Sequence, residues 1–235
     1  MNRRIGLAVV LLSSVAFACG DDSESEGDGG GAQSNGQVNE AAAQGNATQT
    51  ITGSKTAISG DGLAAAYQLA SLGTSALGLV QPAGQAGPQS EGQAKQAVQV
   101  GTCDCTDTQC TFVGCSDDAY VNPFTIDGSI SWGGGHVVAD LTYTGSAGTA
   151  TYDFHLTMDV TVTDTTIDGT VGTDGSVQSS GYGTTWESTL DMNGITFNAG
   201  GCPTAGTLDV DASVDGPSTA DYSATTTITF DGTGC

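Results

Sequence analysis

Strict alternation of apolar and polar side chains makes residues 149–162 the clearest structural element in this sequence. Tyr152, Phe154, Leu156, Met158, Val160 and Val162 share one parity, and Thr151, Asp153, His155, Thr157, Asp159 and Thr161 share the other. Successive side chains of a β-strand point to opposite faces of the sheet. The pattern therefore predicts a long strand with one buried face and one solvated face.

The same period of two recurs along the rest of the C-terminal half. It predicts further strands over residues 124–132, 136–143, 166–173, 176–179, 186–192, 207–214 and 222–230. Gly133-Gly134-Gly135 and Asn193-Gly194 are typical of tight hairpin turns, and Asp174-Gly175 is expected to separate two strands. About eight or nine strands with short connections predict an all-β antiparallel meander, as a barrel, a sandwich or one strongly coiled sheet.

The N-terminal half carries a different pattern. Residues 20–53 are mostly Gly, Ser, Asn, Gln, Ala and acidic residues. They offer too little apolar surface to fold, which predicts a disordered tether. Residues 61–80 repeat apolar positions at helical spacing after Asp61, a candidate N-cap, and predict one short helix. Residues 81–99 return to a Gly-, Pro- and Gln-rich linker.

The distribution of charge narrows the range of partners. The formal net charge is −22, and residues 96–235 contain 18 Asp or Glu but no Lys or Arg. Nucleic acids and anionic lipid headgroups require a basic patch, and phosphate or carboxylate substrates require a cationic side chain to hold them. The composition disfavours all of these and leaves cations, including Ca²⁺, as plausible partners.

The first 19 residues have the parts of a bacterial secretory signal. Asn2-Arg3-Arg4 is a short basic start, residues 5–15 are apolar, and Ala16-Phe17-Ala18-Cys19 follows. The apolar run is too short for a membrane-spanning helix. Ala16-Phe17-Ala18 fits an ordinary signal-peptide cleavage site. With Cys19, the same residues resemble the lipobox of bacterial lipoproteins.

The lipoprotein resemblance covers residues 1–19 only. In that family the cysteine becomes the mature N-terminus and is lipidated, which implies lipidation of Cys19. It also implies an exported protein held at the cell envelope, with the membrane as a partner through its N-terminal lipid. Gly20 after the cysteine resembles the members sorted to the outer membrane. The mature domain resembles no family, and its envelope or extracellular partner is not identified by the sequence.

These patterns divide the chain into four segments. Residues 1–18 are expected to be a signal peptide, and residues 19–54 a lipidated cysteine with a disordered tether. Residues 55–98 are expected to hold the short helix and a linker. Residues 99–235 are expected to form a β domain stapled by disulfides.

Seven cysteines are present, an odd number that lipidation of Cys19 would reduce to six. The cluster Cys103, Cys105, Cys110 and Cys115 could hold zinc, but it lacks paired C-x₂-C knuckles, and an oxidising compartment favours disulfides. Cys103–Cys105 is too short a loop to bridge easily. Two pairings remain open: Cys103–Cys110 with Cys105–Cys115, or Cys103–Cys115 with Cys105–Cys110.

The last two cysteines follow similar segments. Residues 195–202 and 228–235 both read I-T-F-[ND]-x-x-G-C. If residues 207–214 and 222–230 form a hairpin, antiparallel pairing brings Cys202 close to Cys235. We therefore predict a Cys202–Cys235 disulfide.

Two acidic stretches suggest a calcium site. Asp164-x-Thr166-x-Asp168-Gly169 and Asp211-x-Ser213-x-Asp215-Gly216 resemble the first half of an EF-hand loop, which makes Asp164, Asp168, Asp211 and Asp215 candidate Ca²⁺ ligands. Both stretches lack the glutamate that completes such a loop. Strand alternation followed by an Asp-Gly turn explains them equally well without a metal. No other cofactor is expected.

Motifs of catalysis are missing from the sequence, which contains no G-x-S-x-G, H-E-x-x-H, P-loop, G-x-G-x-x-G or C-x-x-C. His136 and His155 are expected to be ordinary surface residues. The sequence thus predicts a non-enzymatic envelope lipoprotein with a role in binding, adhesion or structure. One alternative is a carrier of a small apolar ligand in a barrel cavity. Another is an envelope enzyme that uses paired carboxylates such as Asp209 and Asp211.

Overall fold

The computed structural model describes residues 34–35, 37–76, 79–81, 99–117, 124–147, 150–179, 182–198, 202–216 and 219–232. Cys19, Cys235, the signal segment and most of the predicted linker lie outside these residues. The elements in chain order are β1 (Ser34–Asn35), β2 (Gln37–Val38), α1 (Glu40–Ile58), α2 (Gly62–Ala76), β3 (Val80–Gln81), β4 (Gln99–Cys105), β5 (Gln109–Asp117), β6 (Thr125–Gly133), β7 (His136–Ala147), β8 (Ala150–Val162), β9 (Thr166–Ser179), β10 (Tyr182–Phe197), β11 (Pro203–Gly216) and β12 (Thr219–Thr229).

Nine consecutive strands, β4 to β12, form an antiparallel meander in which each strand pairs with the next along the chain. The predicted all-β meander is confirmed. Short β1 adds a tenth strand by pairing in parallel with Tyr222 and Ser223 of β12. Among the described residues the order runs from β1 to β4 as one open sheet, while β2 and β3 form a separate small ribbon.

Strand β8 lies at the centre of this sheet. It pairs with β7 from Ala150 to Thr161 and with β9 from Ala150 to Val162. The predicted parity holds. Its buried side chains, all at most 5 % exposed, are Phe154, Leu156, Met158, Val160 and Val162. The sheet therefore has an inner apolar face and an outer polar face, as the period of two requires.

The two helices cover the inner face. Helix α2 contacts β4 to β6 and β8 to β10, and α1 contacts β6 to β8 and β10. Helices and strands share one cluster of buried side chains. Aromatic rings of the sheet lie at its centre: Tyr143 stacks on Phe154 at 4.6 Å, and Phe124 meets both rings edge-on.

Helix α1 lies in the segment for which the composition predicts a disordered tether. That prediction, which runs through residue 54, is wrong for residues 40–54. Asn39 caps the helix by accepting a hydrogen bond from the Ala42 N–H at 3.1 Å. The buried positions carry small side chains at helical spacing, namely Ala43, Asn46, Ala47, Thr50, Gly53, Ser54 and Ala57. A helix that buries a stripe of small residues gives no strong apolar signal, which is why it was missed.

Helix α2 confirms the predicted short helix and its cap. The Asp61 carboxylate accepts from the Ala64 N–H at 3.1 Å. The Ala66 carbonyl accepts from the fully buried Tyr143 hydroxyl at 2.7 Å. Burial raises the pKa of Tyr143 well above its usual value. This hydrogen bond joins the helix to the centre of the sheet through a neutral phenol.

Two of the predicted turns are strand interiors instead. Asn193-Gly194 lies within β10, where the pairing register shifts against both neighbouring strands. Gly194, with φ of +58°, makes a β-bulge there and not a hairpin turn. Asp174-Gly175 lies inside β9, which continues through both residues. The turn at Gly134-Gly135 is confirmed, since both residues have positive φ and Gly133 pairs with His136.

The glycine at position 73 in α2 is required by the Phe154 ring beside it. A Cβ atom at this position would overlap the Phe154 ring, so only glycine lets the helix approach the sheet this closely. In contrast, Gly45 in α1 is exposed, and an added Cβ would meet nothing within 4 Å.

We predict that Gly73→Ala and Gly45→Ala change stability in opposite directions. Gly73→Ala should lower the free energy of unfolding by about 1–3 kcal/mol through overpacking. Gly45→Ala should raise it by about 0.5–1 kcal/mol, because alanine is the better helix former. Urea unfolding of both variants measures this. A stabilising Gly73→Ala would contradict the packing of α2 against Phe154.

Candidate functional site on the outer face of the sheet

The cysteine cluster forms two disulfides that staple the β4–β5 hairpin. Cys103 bonds to Cys115 and Cys105 bonds to Cys110, which selects the second of the two open pairings and excludes zinc-bound thiolates there. The register explains the choice, because Cys105 and Cys110 lie directly opposite each other with Cα atoms 4.0 Å apart. Cys202 is disulfide-bonded as well. Its pairing with Cys235 stays a prediction, since Cys235 lies outside the described residues.

The outer face of the sheet is a continuous polar surface built by strand parity. Exposed carboxylates project from strands β6 to β12: Asp127, Asp140, Asp153, Asp159, Asp168, Asp174, Glu187, Asp191, Asp211, Asp215 and Asp221. Threonine and serine occupy most of the positions between them. Because residues 96–235 contain no Lys or Arg, the histidines of this segment are its only side chains that can become cationic near neutral pH.

His155 on β8 bridges carboxylates on both neighbouring strands. Its Nε2 lies 2.9 Å from Asp140 on β7, and its Nδ1 lies 3.3 Å from Asp174 on β9. Two acceptors on the two ring nitrogens can both be satisfied only by the doubly protonated imidazolium. The hydrogen bond to Asp140 is the main cause that raises the pKa of His155, and Asp174 adds to it against partial desolvation.

His136 takes part in a similar contact at the start of β7. Its Nε2 lies 2.6 Å from an Asp159 carboxylate oxygen. Both histidines therefore sit between strands as partners of aspartates, whereas the sequence suggested ordinary surface residues. These contacts depend on the strand register, which the sequence does not reveal. The register places Thr142, His155 and Asp174 in one row across β7, β8 and β9, and Asp140 lies two residues before Thr142 on β7.

An open cleft of about 420 Å³ lies beside this row on the outer face. Its floor is formed by Gly175 and Trp186, which are cross-strand neighbours on β9 and β10. Its walls are polar and acidic: Asp153, Asp174, Ser176, Thr185, Glu187, Ser213 and Asp215. The sequence alone did not reveal this cleft, because its walls come from four strands whose register was unknown.

Asp215 at the rim of the cleft pairs with a second carboxyl group. A hydrogen bond to Asp221 is the main cause that raises the pKa of Asp215, and the charge of Asp221 acts in the same direction. Two carboxyl groups that share a proton bind it more tightly than either would alone. The rim of the cleft thus gains a proton more readily than isolated surface aspartates do.

The four residues predicted to bind calcium are placed in separate settings. Asp164 lies in the β8–β9 turn, and Asp168 accepts from the Gly194 N–H at 2.9 Å, which supports the β10 bulge. Asp211 lies in the middle of β11, and Asp215 pairs with Asp221. Within the described ranges, no three His, Cys, Asp or Glu side chains lie close enough together to hold a metal ion. Calcium binding by these residues stays a prediction without geometric support.

Of the two carboxylates suggested for an enzyme, Asp209 is hydrogen-bonded to side chains of both neighbouring strands. Asp209 accepts hydrogen bonds from the Asn193 side chain at 3.0 Å and from the Thr227 hydroxyl. Asp211 follows two residues later, on the same outer face of β11. These contacts give Asp209 a role in cross-strand pairing.

Comparison with known proteins found no matching family model, no similar curated protein and no similar solved structure. Neither α1 nor α2, the helices in the described part of the chain, has the length and hydropathy of a membrane span.

We predict a pH-dependent contribution of His155 to stability. A raised pKa in the folded state means that this contribution is complete below the unfolded pKa of about 6.5 and is lost as the pH rises through the folded pKa. The side chain of His155 is 38 % exposed, so solvent screening limits the effect to about 0.2–1 kcal/mol.

The measurement is urea unfolding of wild type and His155→Gln between pH 6 and pH 9. The stability difference between the two should shrink as the pH rises. Asp140→Asn, which removes the main cause of the shift, should weaken the pH dependence while histidine is retained. A difference that stays constant with pH would contradict the charged bridge.

Proposed function

We propose that this chain is a lipoprotein of the bacterial cell envelope, anchored through Cys19, with a folded part that acts by binding and not by catalysis. Its working surface is the acidic outer face of the sheet, and the chemistry of that face favours a partner that presents cationic groups. The proposal rests on the cysteines: those described in the fold are in disulfides, and Cys19 follows residues that resemble a bacterial export signal.

The disulfides support export. Cys103–Cys115 and Cys105–Cys110 lie in one hairpin, and Cys202 is bonded as well. Structural disulfides are typical of oxidising compartments such as the periplasm and the cell surface, and they are rare in the cytosol. If Cys202 pairs with Cys235 as predicted, Cys19 is the one cysteine without a disulfide partner, which agrees with its lipidation.

The position at which the chain enters the fold, strand β1, is compatible with a lipid anchor at Cys19. Ser34 of β1 follows Cys19 by fifteen residues and pairs with Tyr222 of β12, so β1 lies at one edge of the described sheet. Fifteen residues reach at most about 50 Å when fully extended. This segment of fifteen residues is shorter than the tether to residue 54 that the composition predicts. The sheet would therefore be held closer to the bilayer.

A binding role suits the arrangement of the polar groups. The inner face of the sheet is covered by α1 and α2 and offers its apolar side chains to the helices. The outer face presents acids with few compensating cations, and its open cleft is walled by four carboxylates, Asp153, Asp174, Glu187 and Asp215. Such a field attracts cationic groups over several ångströms and repels nucleic acids and anionic lipids.

We predict that Cys19→Ser releases the protein from the membrane. Wild-type protein expressed in a bacterium should partition into the detergent phase of a Triton X-114 extraction, and its mature N-terminal peptide should carry the added mass of acyl chains. Cys19→Ser should move to the aqueous phase, because without a lipid the chain has no anchor.

Ser14→Ala, in the same segment but away from the cleavage site, is the matched control and should behave as wild type. A wild-type protein that is exported and found in the aqueous phase with an unmodified N-terminus would contradict the anchor. Retention of Cys19→Ser in the detergent phase would show that attachment arises elsewhere in the chain.

A further inference from the structure

The two disulfides of the β4–β5 hairpin differ in their access to solvent. Cys115 is fully buried and Cys103 is partly buried, so this bond is sheltered on both sides. In the second bond Cys110 is fully buried, whereas Cys105 is exposed. The Cys105–Cys110 bond therefore joins a surface residue to a core residue. An external thiolate can approach Cys105 more readily than Cys110.

The position of this bond favours such an attack. It closes the tip of the hairpin, with only residues 106–109 between its two cysteines. Among the described residues β4 is the last strand at its end of the sheet and pairs only with β5. Tips and edge strands open locally at a lower cost than the strands inside a sheet. A reagent can thus reach Cys105 without disturbing the core.

The inner sulfur of this bond lies at the start of α2. Gly62, the first residue of α2, lies against Cys110 Sγ so closely that a Cβ at Gly62 would overlap the sulfur. The ring of Trp132 packs against the same glycine, so its emission can report on the state of the bond.

We propose that Cys105–Cys110 is a thiol-exchange site that a dithiol reductant opens while Cys103–Cys115 stays closed. A reductant thiolate attacks Cys105 Sγ, the S–S bond breaks, and its electron pair leaves on Cys110 Sγ. The second thiolate of the reductant then attacks its own sulfur in the mixed disulfide and releases Cys105 as a thiolate. The disulfide is reduced by two electrons, the dithiol is oxidised to a disulfide, and both cysteine thiolates take up protons from water.

The charge around this site selects among reductants. Asp104 and Asp107 flank Cys105 in sequence, and Asp61 caps α2 next to Gly62. No Lys or Arg of residues 96–235 offsets them. A reductant with negative charge is therefore repelled, whereas a neutral or cationic thiol is not. The first step, in which a monothiolate attacks Cys105 Sγ to form a mixed disulfide and Cys110 leaves as a thiolate, should be faster with cysteamine than with glutathione.

The test uses the intact mature protein and dithiothreitol as the dithiol. After stepwise reduction, free thiols are alkylated and located by peptide mass mapping. Cys105 and Cys110 should be labelled at lower dithiothreitol concentrations than Cys103, Cys115 or Cys202. Trp132 emission should change at the same step, with Trp186→Phe used to isolate its signal. Equal labelling of all cysteines, or earlier labelling of Cys103 and Cys115, would overturn the proposal.

Asp104 and Asp107 can be neutralised by substitution to test whether their charge repels glutathione. The double variant Asp104→Asn and Asp107→Asn should react with glutathione roughly tenfold faster than wild type at low salt, and this gain should shrink in high salt. Asp191→Asn, on the outer face of β10, is the matched control and should leave the rate unchanged. A rate with glutathione that equals the cysteamine rate at equal thiolate concentration would refute the electrostatic selection. None of these outcomes depends on whether Cys19 carries a lipid.

Discussion

The contact between α2 and the aromatic side chains of the central strands holds the two halves of this fold together. Gly73 lets the helix lie against the Phe154 ring, and the Tyr143 hydroxyl donates to the Ala66 carbonyl of the same helix. Without the helices, the inner face of the sheet would expose a row of fully buried side chains that includes Tyr143, Phe154, Leu141 and Leu156. Burial of that surface is the main favourable term for a sheet whose outer face is almost entirely polar.

The same constraint accounts for the small residues of the helices. Ala43, Ala47, Ala65, Ala66 and Ala70 are buried, and Gly53 lies so close to Leu69 that an added Cβ would be within 2.8 Å of the leucine. The stripe that α1 buries consists of small side chains, whereas α2 adds the large buried side chains Leu69 and Leu72 to those of the sheet. Disulfides then secure the β4–β5 hairpin at one end of the sheet, where fewer contacts from the helices reach.

Electrostatics define the other face. The acidic side chains point to solvent, where each is hydrated at little cost. Neighbouring carboxylates repel one another, and the two histidines offset this repulsion by contacting carboxylates on adjacent strands. His155 does this between β7 and β9, and His136 does it between β7 and β8. An acidic surface of this kind leaves the fold intact while it restricts partners to those that tolerate or seek negative charge.

Strands β6 to β12 could be read from the sequence because their period of two is strong, as residues 150–162 show, whereas the pattern predicted no strand at β4 or β5. The bulge at Asn193-Gly194 could not be predicted, since the same dipeptide also suits a hairpin turn. Only the pairing of β10 with both β9 and β11 distinguishes the bulge from the turn. Helix α1 could not be predicted because its buried stripe consists of Ala, Asn, Thr, Ser and Gly and gives no strong apolar period. The His155 bridge and the cleft over Gly175 depend on cross-strand register, which no local pattern supplies.

The dependence of the sheet on the helices can be measured by comparing two chains, residues 34–235 and residues 99–235, by near-ultraviolet circular dichroism and urea unfolding. The longer chain should unfold in a cooperative transition and the shorter one should not, because the shorter chain cannot bury its inner face. A cooperative transition of the shorter chain at the same urea midpoint would show that the sheet is stable without α1 and α2.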